Sequence, residues 1–570
     1  MNFKFLYTAI AVLASFVRAQ NQLPDVPKAE ELKVDSLPDI STLNSTQYAG
    51  LLPIRTNTFV FFWLFEQEEP KKPNIKEKLT VWLNGGSMDG VFMENGPYTF
   101  DEDGKITHNP YSWNKHTNVV YVDQPTGTGF SYTKNNDIPR NEYDVGRDFN
   151  TFLGQLFRVF PQYADAEIYI AGESFAGTYI PYIASNLIKN PVNEKMIDLQ
   201  GIAIGNGWID PARQYQGYLK YSVDNNILSG NALKKVKELT NKCTEEYKKK
   251  DRIKNYGCEY ILDSILDGTT ANGQFCINMY DIRLRDTDKK GGCGLYSWPL
   301  TLGSMTYYLQ RLDVIEAIHA SATPHTWREC TSRVSSALSG DNSKPSYTLF
   351  PFLLEHIKIT LFAGDKDLIC NHAGIEMMID NMTWDGAKGY SNGLIDWVVN
   401  GKVSGAYQSE RNLTYIRMTN GSHMVPIDLP EESLFMFNSF IGINDEEKAS
   451  LDNQFDYDEG QKKLSSDASM EHSNSNVTKL LSLSILSVSL IAFVTVFAIR
   501  KNKQNDATSS VEWHELMKDN NGSEIEDDNN DNVIDINLDD DEESLSDIEN
   551  FILENENDDI DENINDTLGL

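Results

Sequence analysis

The stretch AEIYIAGESFAGTYIPYIASNLI (Ala166–Ile188) has an apolar, β-rich run before Gly172 and a helix-forming run after Gly177. Between them Ser174 stands in a near match to G-x-S-x-G, with Ala176 in place of the second glycine. A serine held on a tight strand-to-helix turn presents its hydroxyl at the end of a sheet, where it can attack a carbonyl. The reading therefore turns on whether the rest of the chain supplies a strand framework and the partners that a serine nucleophile needs.

Similar apolar runs recur in KLTVWLNGG, TNVVYVDQP, LQGIAIGNG and HIKITLFAGDKD, each closed by Gly, Pro or Asp. Near-continuous apolar runs suit strands buried on both faces of a parallel sheet. Helical patterns, such as Tyr179–Lys189, lie between some of them, which predicts an α/β fold with its site beyond the carboxyl ends of the strands. Residues 211–349 break this rhythm with helix formers and clustered cysteines, and read as a mainly helical cap insertion that walls the substrate pocket. Asp367 follows one apolar run in LFAGDKDLICN, and His423 follows another in TYIRMTNGSHMVP. The order Ser174, Asp367, His423 is that of the α/β-hydrolase fold. In that chemistry His423 takes the serine proton and Asp367 orients the imidazole.

The ends place this body in a cell. MNFKFLYTAIAVLASFVRAQ has a positive start, an apolar run and a small-x-small close, and reads as a signal peptide over 1–19. Leu480–Ile499 is twenty apolar or hydroxyl residues without a charge, enough for a transmembrane helix. Arg500, Lys501 and Lys503 follow it and predict a cytosolic C-terminal side, hence a single-pass type I protein. The expected organisation is a lumenal domain over 20–444, a flexible stalk over 445–479, the span over 480–499 and a tail over 500–570. The net charge is −34, and Gln504–Leu570 holds 24 acids against one Lys. Such a tail reads as disordered and suits sorting adaptors, while the charge balance excludes a nucleic-acid surface.

Six cysteines in a lumenal chain point to disulfides. Cys243, Cys258, Cys276 and Cys293 cluster and are expected to form two bridges, with three connectivities open. No spacing implies a metal, and no cofactor is expected. Lumenal glycosylation acceptors occur at Asn44, Asn381, Asn412, Asn420 and Asn476, while those at Asn521 and Asn565 fall on the cytosolic side.

GESFAGTYIP, GDKDLICN and GSHMVPIDLP resemble three signature blocks of the serine carboxypeptidases, and NGGSMDGVFMENGP, VDQPTGTGFSY and GNGWIDP resemble further ones. The likeness covers most of residues 45–440. It implies an α/β-hydrolase fold with Ser174, Asp367 and His423 catalytic, and Asp365 only a neighbour. It also implies an oxyanion hole at Gly86 and Phe175, and binding of the peptide's free carboxylate by Asn84, Gly85, Glu94 and Glu173. Two glutamates beside a carboxylate require shared protons, so binding is expected to favour mildly acidic pH. The anchor and acidic tail resemble members of the late Golgi (trans-Golgi network) that remove C-terminal Lys and Arg from propeptides after kexin-type cleavage.

One block departs from the family. Relatives read approximately W-L-N-G-G-P-G-C-S-S-M-D-G where this chain reads WLNGGSMDG, so Pro-Gly-Cys-Ser is absent. The family pairs that cysteine with the one matching Cys330, which is thereby left without its partner, and a Cys330–Cys370 bridge is the alternative. Cys370 matches a free thiol beside the triad. The shortened loop opens a second reading, a catalytically silent lumenal binding or sorting protein on the same scaffold.

Overall fold

A computed structural model describes residues 25–70, 76–85, 87–270, 276–286, 299 and 301–443. The signal segment, the stalk, the span, the tail, Gly86, Cys293 and Asn476 lie outside the described residues. Among the described residues no helix is long and apolar enough to cross a membrane.

The described strands of the main sheet are β1 (Gln47–Arg55), β2 (Thr58–Phe65), β3 (Lys78–Leu83), β4 (Asn118–Val122), β5 (Tyr132–Thr133), β6 (Glu167–Glu173), β7 (Asp198–Gly205), β8 (Lys358–Gly364), β9 (Ile395–Val399), β10 (Lys402–Glu410) and β11 (Leu413–Met418). Their order is β1-β2-β4-β3-β6-β7-β8-β11-β10-β9, with β5 on β2. The pairs from β4 through β3, β6, β7 and β8 to β11 are parallel. The five apolar runs singled out in the sequence are β3, β4, β6, β7 and β8, all in this parallel centre. The edges, β1-β2 on one side and β9-β10 on the other, pair antiparallel.

Strand periodicity explains why the centre is apolar throughout. Leu79, Val81 and Leu83 of β3, and Ile168 and Ile170 of β6, enter one core. Their neighbours Trp82, Tyr169 and Ala171 enter another. Successive side chains alternate faces, so a strand covered on both sides needs apolar residues at every position. The first core receives α1 (Glu142–Val159), α2 (Ala176–Lys189) and, after the cap, α6 (His372–Asn381). Asn141 caps α1 by accepting the Asp144 N–H at 3.0 Å. Each fully buried Ile or Leu of these faces contributes about 1.5–3 kcal/mol.

The cap carries α3 (Pro211–Asp224), α4 (Gly230–Lys249) and α5 (Tyr256–Gly268). Tyr215, Tyr218, Tyr221, Val236, Ile261 and Ile265 form its own core, which also takes in Leu368 beside Asp367. Cys243–Cys258 staples α4 to α5. Cys276 is also disulfide-bonded, to a partner outside the described residues. The insertion is helical over much of its described length, with a small ribbon pairing Cys276–Ile277 with Arg285–Asp286.

Candidate active site

Ser174 lies between β6 and α2 with φ 58°, a left-handed conformation that side chains rarely adopt. Its carbonyl accepts the N–H groups of Gly177 and Trp208 at 3.0 and 2.9 Å, and its N–H reaches the Gly205 carbonyl at 3.0 Å. The strain is thus held by bonds to the next strand end. A Cβ on Gly177 would come within 2.8 Å of Gly207 Cα, so that glycine is sterically required. Ala176, by contrast, is fully buried with its methyl group accommodated, which is why the imperfect motif still makes the turn. Gly172 is the other tight point, since a Cβ there would overlap the Leu83 carbonyl oxygen in the neighbouring strand. Gly172→Ala is expected to destabilise the fold by at least about 1–3 kcal/mol, read as a lower denaturation midpoint.

Helix α2 contains Pro181, which cannot donate to the Gly177 carbonyl four residues back. The Ser346 hydroxyl donates to that carbonyl instead, at 2.6 Å. The helix thereby keeps its N-terminus directed at Ser174, where the positive end of its dipole favours developing negative charge.

Asp367 and His423 come from the loops after β8 and β11, which are paired neighbours. His423 Nδ1 lies 2.8 Å from Asp367 Oδ2, and both residues are buried. Asp367 also accepts the side-chain N–H of Asn206 and, at 3.3 Å, the Cys370 N–H. Asn206 is locked in turn, accepting the Gly364 N–H at 2.9 Å. Tyr280 from the cap lies against the imidazole, with ring centroids 5.1 Å apart. Asp365 faces elsewhere and accepts the Asn420 N–H at 2.7 Å. This geometry fixes one imidazole nitrogen on a carboxylate, the orientation a general base needs.

Cys370 lies close to this pair: its Sγ, a His423 nitrogen and an Asp367 oxygen fall within 4.8 Å of one another. Burial, then the Asp367 and Glu173 charges, push its thiol well above the ordinary range. A protonated thiol is a poor nucleophile, which leaves that role to the hydroxyl. Cys330 and Cys370 are both free, so neither the family's bridge nor the alternative Cys330–Cys370 bridge is present. Ser174 is half-buried and opens on a cavity of about 370 Å³ lined also by Phe175, Trp208, Tyr215, Ile369 and Cys370.

On the adjoining side three polar residues are buried together. Asn84 Nδ2 donates to Glu94 Oε1 at 2.6 Å and reaches Glu173 Oε1 at 3.4 Å. Its Oδ1 accepts from Trp82 Nε1 at 2.8 Å and from the Gly90 N–H at 2.9 Å, and the Tyr179 hydroxyl donates to its carbonyl. Burial pushes Glu94 up to about 7 against the hydrogen bonds it makes with Glu173 and Asn84. Burial and the Glu94 charge push Glu173 well up too. Glu94 Oε2 has no hydrogen-bond donor among the described residues. The pair therefore favours holding protons at mildly acidic pH.

The shortened loop joins these parts. A Cβ on Gly85 would lie 2.9 Å from Ser174 Cβ and 3.1 Å from the Phe175 N, so Gly85 closes directly on the nucleophile turn. Ser87 is anchored by donating to Asp123 and accepting from Trp327 Nε1 at 3.3 Å. The next residue, Met88, takes φ 61°. Sequence reading missed Asn206, Tyr280 and Trp82 as positioning groups. Asn206 had a signal, since GNG ends strand β7, whereas the other two are visible only in three dimensions.

A family model described as serine carboxypeptidase matches residues 38–442. The chain belongs to the serine carboxypeptidase family. A pheromone-processing carboxypeptidase KEX1 of Coccidioides posadasii is 43% identical over 412 residues, which cover 68% of this chain and 63% of that protein. The chain thus matches somewhat under two thirds of the length of that relative. An Aspergillus niger pheromone-processing carboxypeptidase is 38% identical over 446 residues, covering 74% and 70%. The crystal structure of a prohormone-processing carboxypeptidase from Saccharomyces cerevisiae is 32% identical, with TM-score 0.66, and covers 73% of this chain and 97% of that one. This member of the serine carboxypeptidase family has an α/β-hydrolase fold.

Proposed function

We propose that the chain is a serine-type carboxypeptidase that removes C-terminal residues, chiefly Lys and Arg, from secretory-pathway propeptides through an acyl-enzyme. Ser174 attacks the last peptide carbonyl, His423 takes its proton and returns it to the leaving amine, and Asp367 holds the imidazolium. The Phe175 N–H donates to the oxyanion, and the second donor that the family resemblance implies falls at Gly86, in the shortened loop. The observation that carries the reading is the buried Asn84–Glu94–Glu173 cluster beside Ser174. An internal peptide bond has no carboxylate to dock there, so the cluster favours an exopeptidase over an esterase. The basic preference and the late-Golgi, type I setting rest on likeness to the relatives and on the sequence of residues outside the described structure. Asn44, Asn381, Asn412 and Asn420 are exposed, which suits glycan acceptors. The shortened loop favours one other reading, a catalytically silent lumenal binding or sorting protein.

The test is release of amino acids from a peptide ending in Lys-Arg by the full chain at mildly acidic pH, followed by mass spectrometry. Loss of Arg and then Lys supports the enzyme, and no release supports the silent scaffold. The pH dependence has a definite sign. Glu94, poised at about 7, is protonated below that pH and can donate to the peptide carboxylate. Above it the two carboxylates repel, so KM is expected to rise through pH 7 while Glu94→Gln flattens that rise. Stability follows the same groups. A carboxyl raised on folding binds its proton more tightly in the folded state, so stability falls as pH rises from its ordinary value. For Glu94 that window runs from 4.5 to about 7, and Asp123, also raised to about 7 by burial, acts in the same sense. Thermal midpoints are expected to be higher in mild acid than above neutrality.

A further inference from the structure

The cap ribbon reaches both catalytic loops. Between its two strands, the Met279 carbonyl accepts the N–H groups of Leu368 and Ile369 at 3.1 and 3.0 Å, and the Ile282 N–H donates to the Lys366 carbonyl at 3.0 Å. Asp367 is thus bracketed on either side. The Tyr280 carbonyl accepts the His423 N–H at 2.9 Å. Asn278 shapes this turn, its Oδ1 accepting the N–H groups of Tyr280 and Asp281 at 2.8 and 3.2 Å. One side chain of the ribbon reaches further. Arg283 Nε donates to Asp281 Oδ1 at 2.8 Å, Nη1 to the Asn420 carbonyl at 3.0 Å, and Nη2 to Asp281 Oδ2 at 2.7 Å and Asp428 Oδ1 at 3.1 Å. Asp428, at the end of the short helix Val425–Asp428, accepts the Ser422 N–H on its other oxygen at 2.7 Å. Arg283 therefore holds the residues just before His423 at two points, one directly and one through Asp428.

That stretch needs holding. Asn420 has φ 70° and Gly421 follows it, and a glycine leaves the backbone free to take other conformations. On one side Asp365 accepts the Asn420 N–H at 2.7 Å and the Lys366 N–H donates to the Gly421 carbonyl at 2.8 Å. Those bonds tie the two catalytic loops to each other, whereas Arg283 ties the stretch to the cap. An exposed ion pair by itself counts for little, but a planar guanidinium that makes four bonds at once fixes the direction of each. A catalytic group misplaced by about 1 Å loses up to about 10²-fold in rate. We propose that Arg283 is a positioning residue of the reaction, setting the place of His423 through the Asn420 carbonyl and Asp428. It acts through that loop and not on the reacting atoms. The proposal rests on the carboxypeptidase reading above, and gives the cap a part in catalysis besides walling the pocket.

The test compares Arg283→Met with the parent, both as the full chain. Arg283 keeps 38% of its side-chain surface exposed, so truncating it opens no buried cavity. For release of C-terminal residues, kcat is expected to fall about tenfold with KM nearly unchanged, because Asn84, Glu94 and Glu173, the proposed carboxylate site, lie on other elements. Labelling of Ser174 by an organophosphonate should slow by a similar factor. Arg283→Lys should recover only part of the loss, since an ammonium cannot reach Asp281, Asn420 and Asp428 together, and it carries the comparison if Arg283→Met does not fold. Asp428→Asn added to Arg283→Met should cost less than the product of the two single losses, as expected of residues on one path. Arg285→Met controls for a general loosening of the ribbon, because Arg285 bonds the Ile282 and Leu284 carbonyls within it, and is expected to leave kcat unchanged. Hydrogen exchange at the Ser422 and His423 amides reads the loop directly, and should quicken in Arg283→Met but not in Arg285→Met. An unchanged kcat in a parent that turns over, a fall that Arg285→Met matches, or unchanged exchange overturns the proposal. If the parent releases nothing, the enzyme reading fails, and the exchange result alone decides whether Arg283 positions the loop.

Discussion

Ser174→Ala is expected to lower release of C-terminal residues by about 10⁴–10⁶-fold while leaving the fold and peptide binding in place. The fold survives because alanine keeps the Cβ, and the turn at φ 58° is held by backbone bonds of residue 174 rather than by its hydroxyl. Binding is expected to survive because Asn84, Glu94 and Glu173, the proposed carboxylate site, are untouched. Labelling by an active-site organophosphonate should disappear together with turnover. A variant that still releases amino acids at the parent rate would remove Ser174 from the chemistry. Cys370, although close, would be a poor substitute, because burial keeps its thiol protonated.

Insertion of Pro-Gly-Cys-Ser after Gly86 carries the second large effect. In the present chain Asn84 is tied to Trp82 and Gly90, and Ser87 is tied to Asp123 and Trp327. Only Gly85 and Gly86 span the gap between these fixed points, and Gly85 is pressed against Ser174. Four more residues add up to about 13 Å of contour, enough to relax the turn and let backbone N–H groups settle around the oxyanion. Turnover is expected to rise by about 10²–10³-fold, the usual worth of an oxyanion donor. The new cysteine should pair with Cys330, which is free and exposed. Thiol titration reads this directly, as one free thiol fewer than in the parent. A gain of one free thiol with no change in turnover would show that the short loop already builds a complete site.

How much of this was legible in the chain differs from element to element. The parallel centre was readable because strands buried on both faces are apolar at every position, a pattern that survives without neighbours. The flanking antiparallel strands were not singled out; β9 and β10 mix buried and exposed positions, which blurs the pattern, whereas β2, TFVFFWLF, is buried at every position but Phe59 and carries the same apolar signal as the centre. Ala176 weakened the nucleophile motif on paper. In the fold it is harmless, because the close approaches fall on Gly172 and Gly177. The first cap bridge joins two cysteines only 15 residues apart, but its pairing was one of several that spacing allowed.

The sequence by itself determined the family, the order of Ser174, Asp367 and His423, and the WLNGGSMDG spelling of the loop after β3. Each of these is written in local residue identity and spacing. Only the tertiary structure decided that Asn206 and Tyr280 brace the Asp367–His423 pair, that Gly85 closes on Ser174, and that Arg283 reaches Asn420 and Asp428. Those relations join residues up to 161 positions apart, and they arise from how strands and loops pack. Contacts of that kind depend on burial and direction, which a linear pattern does not carry.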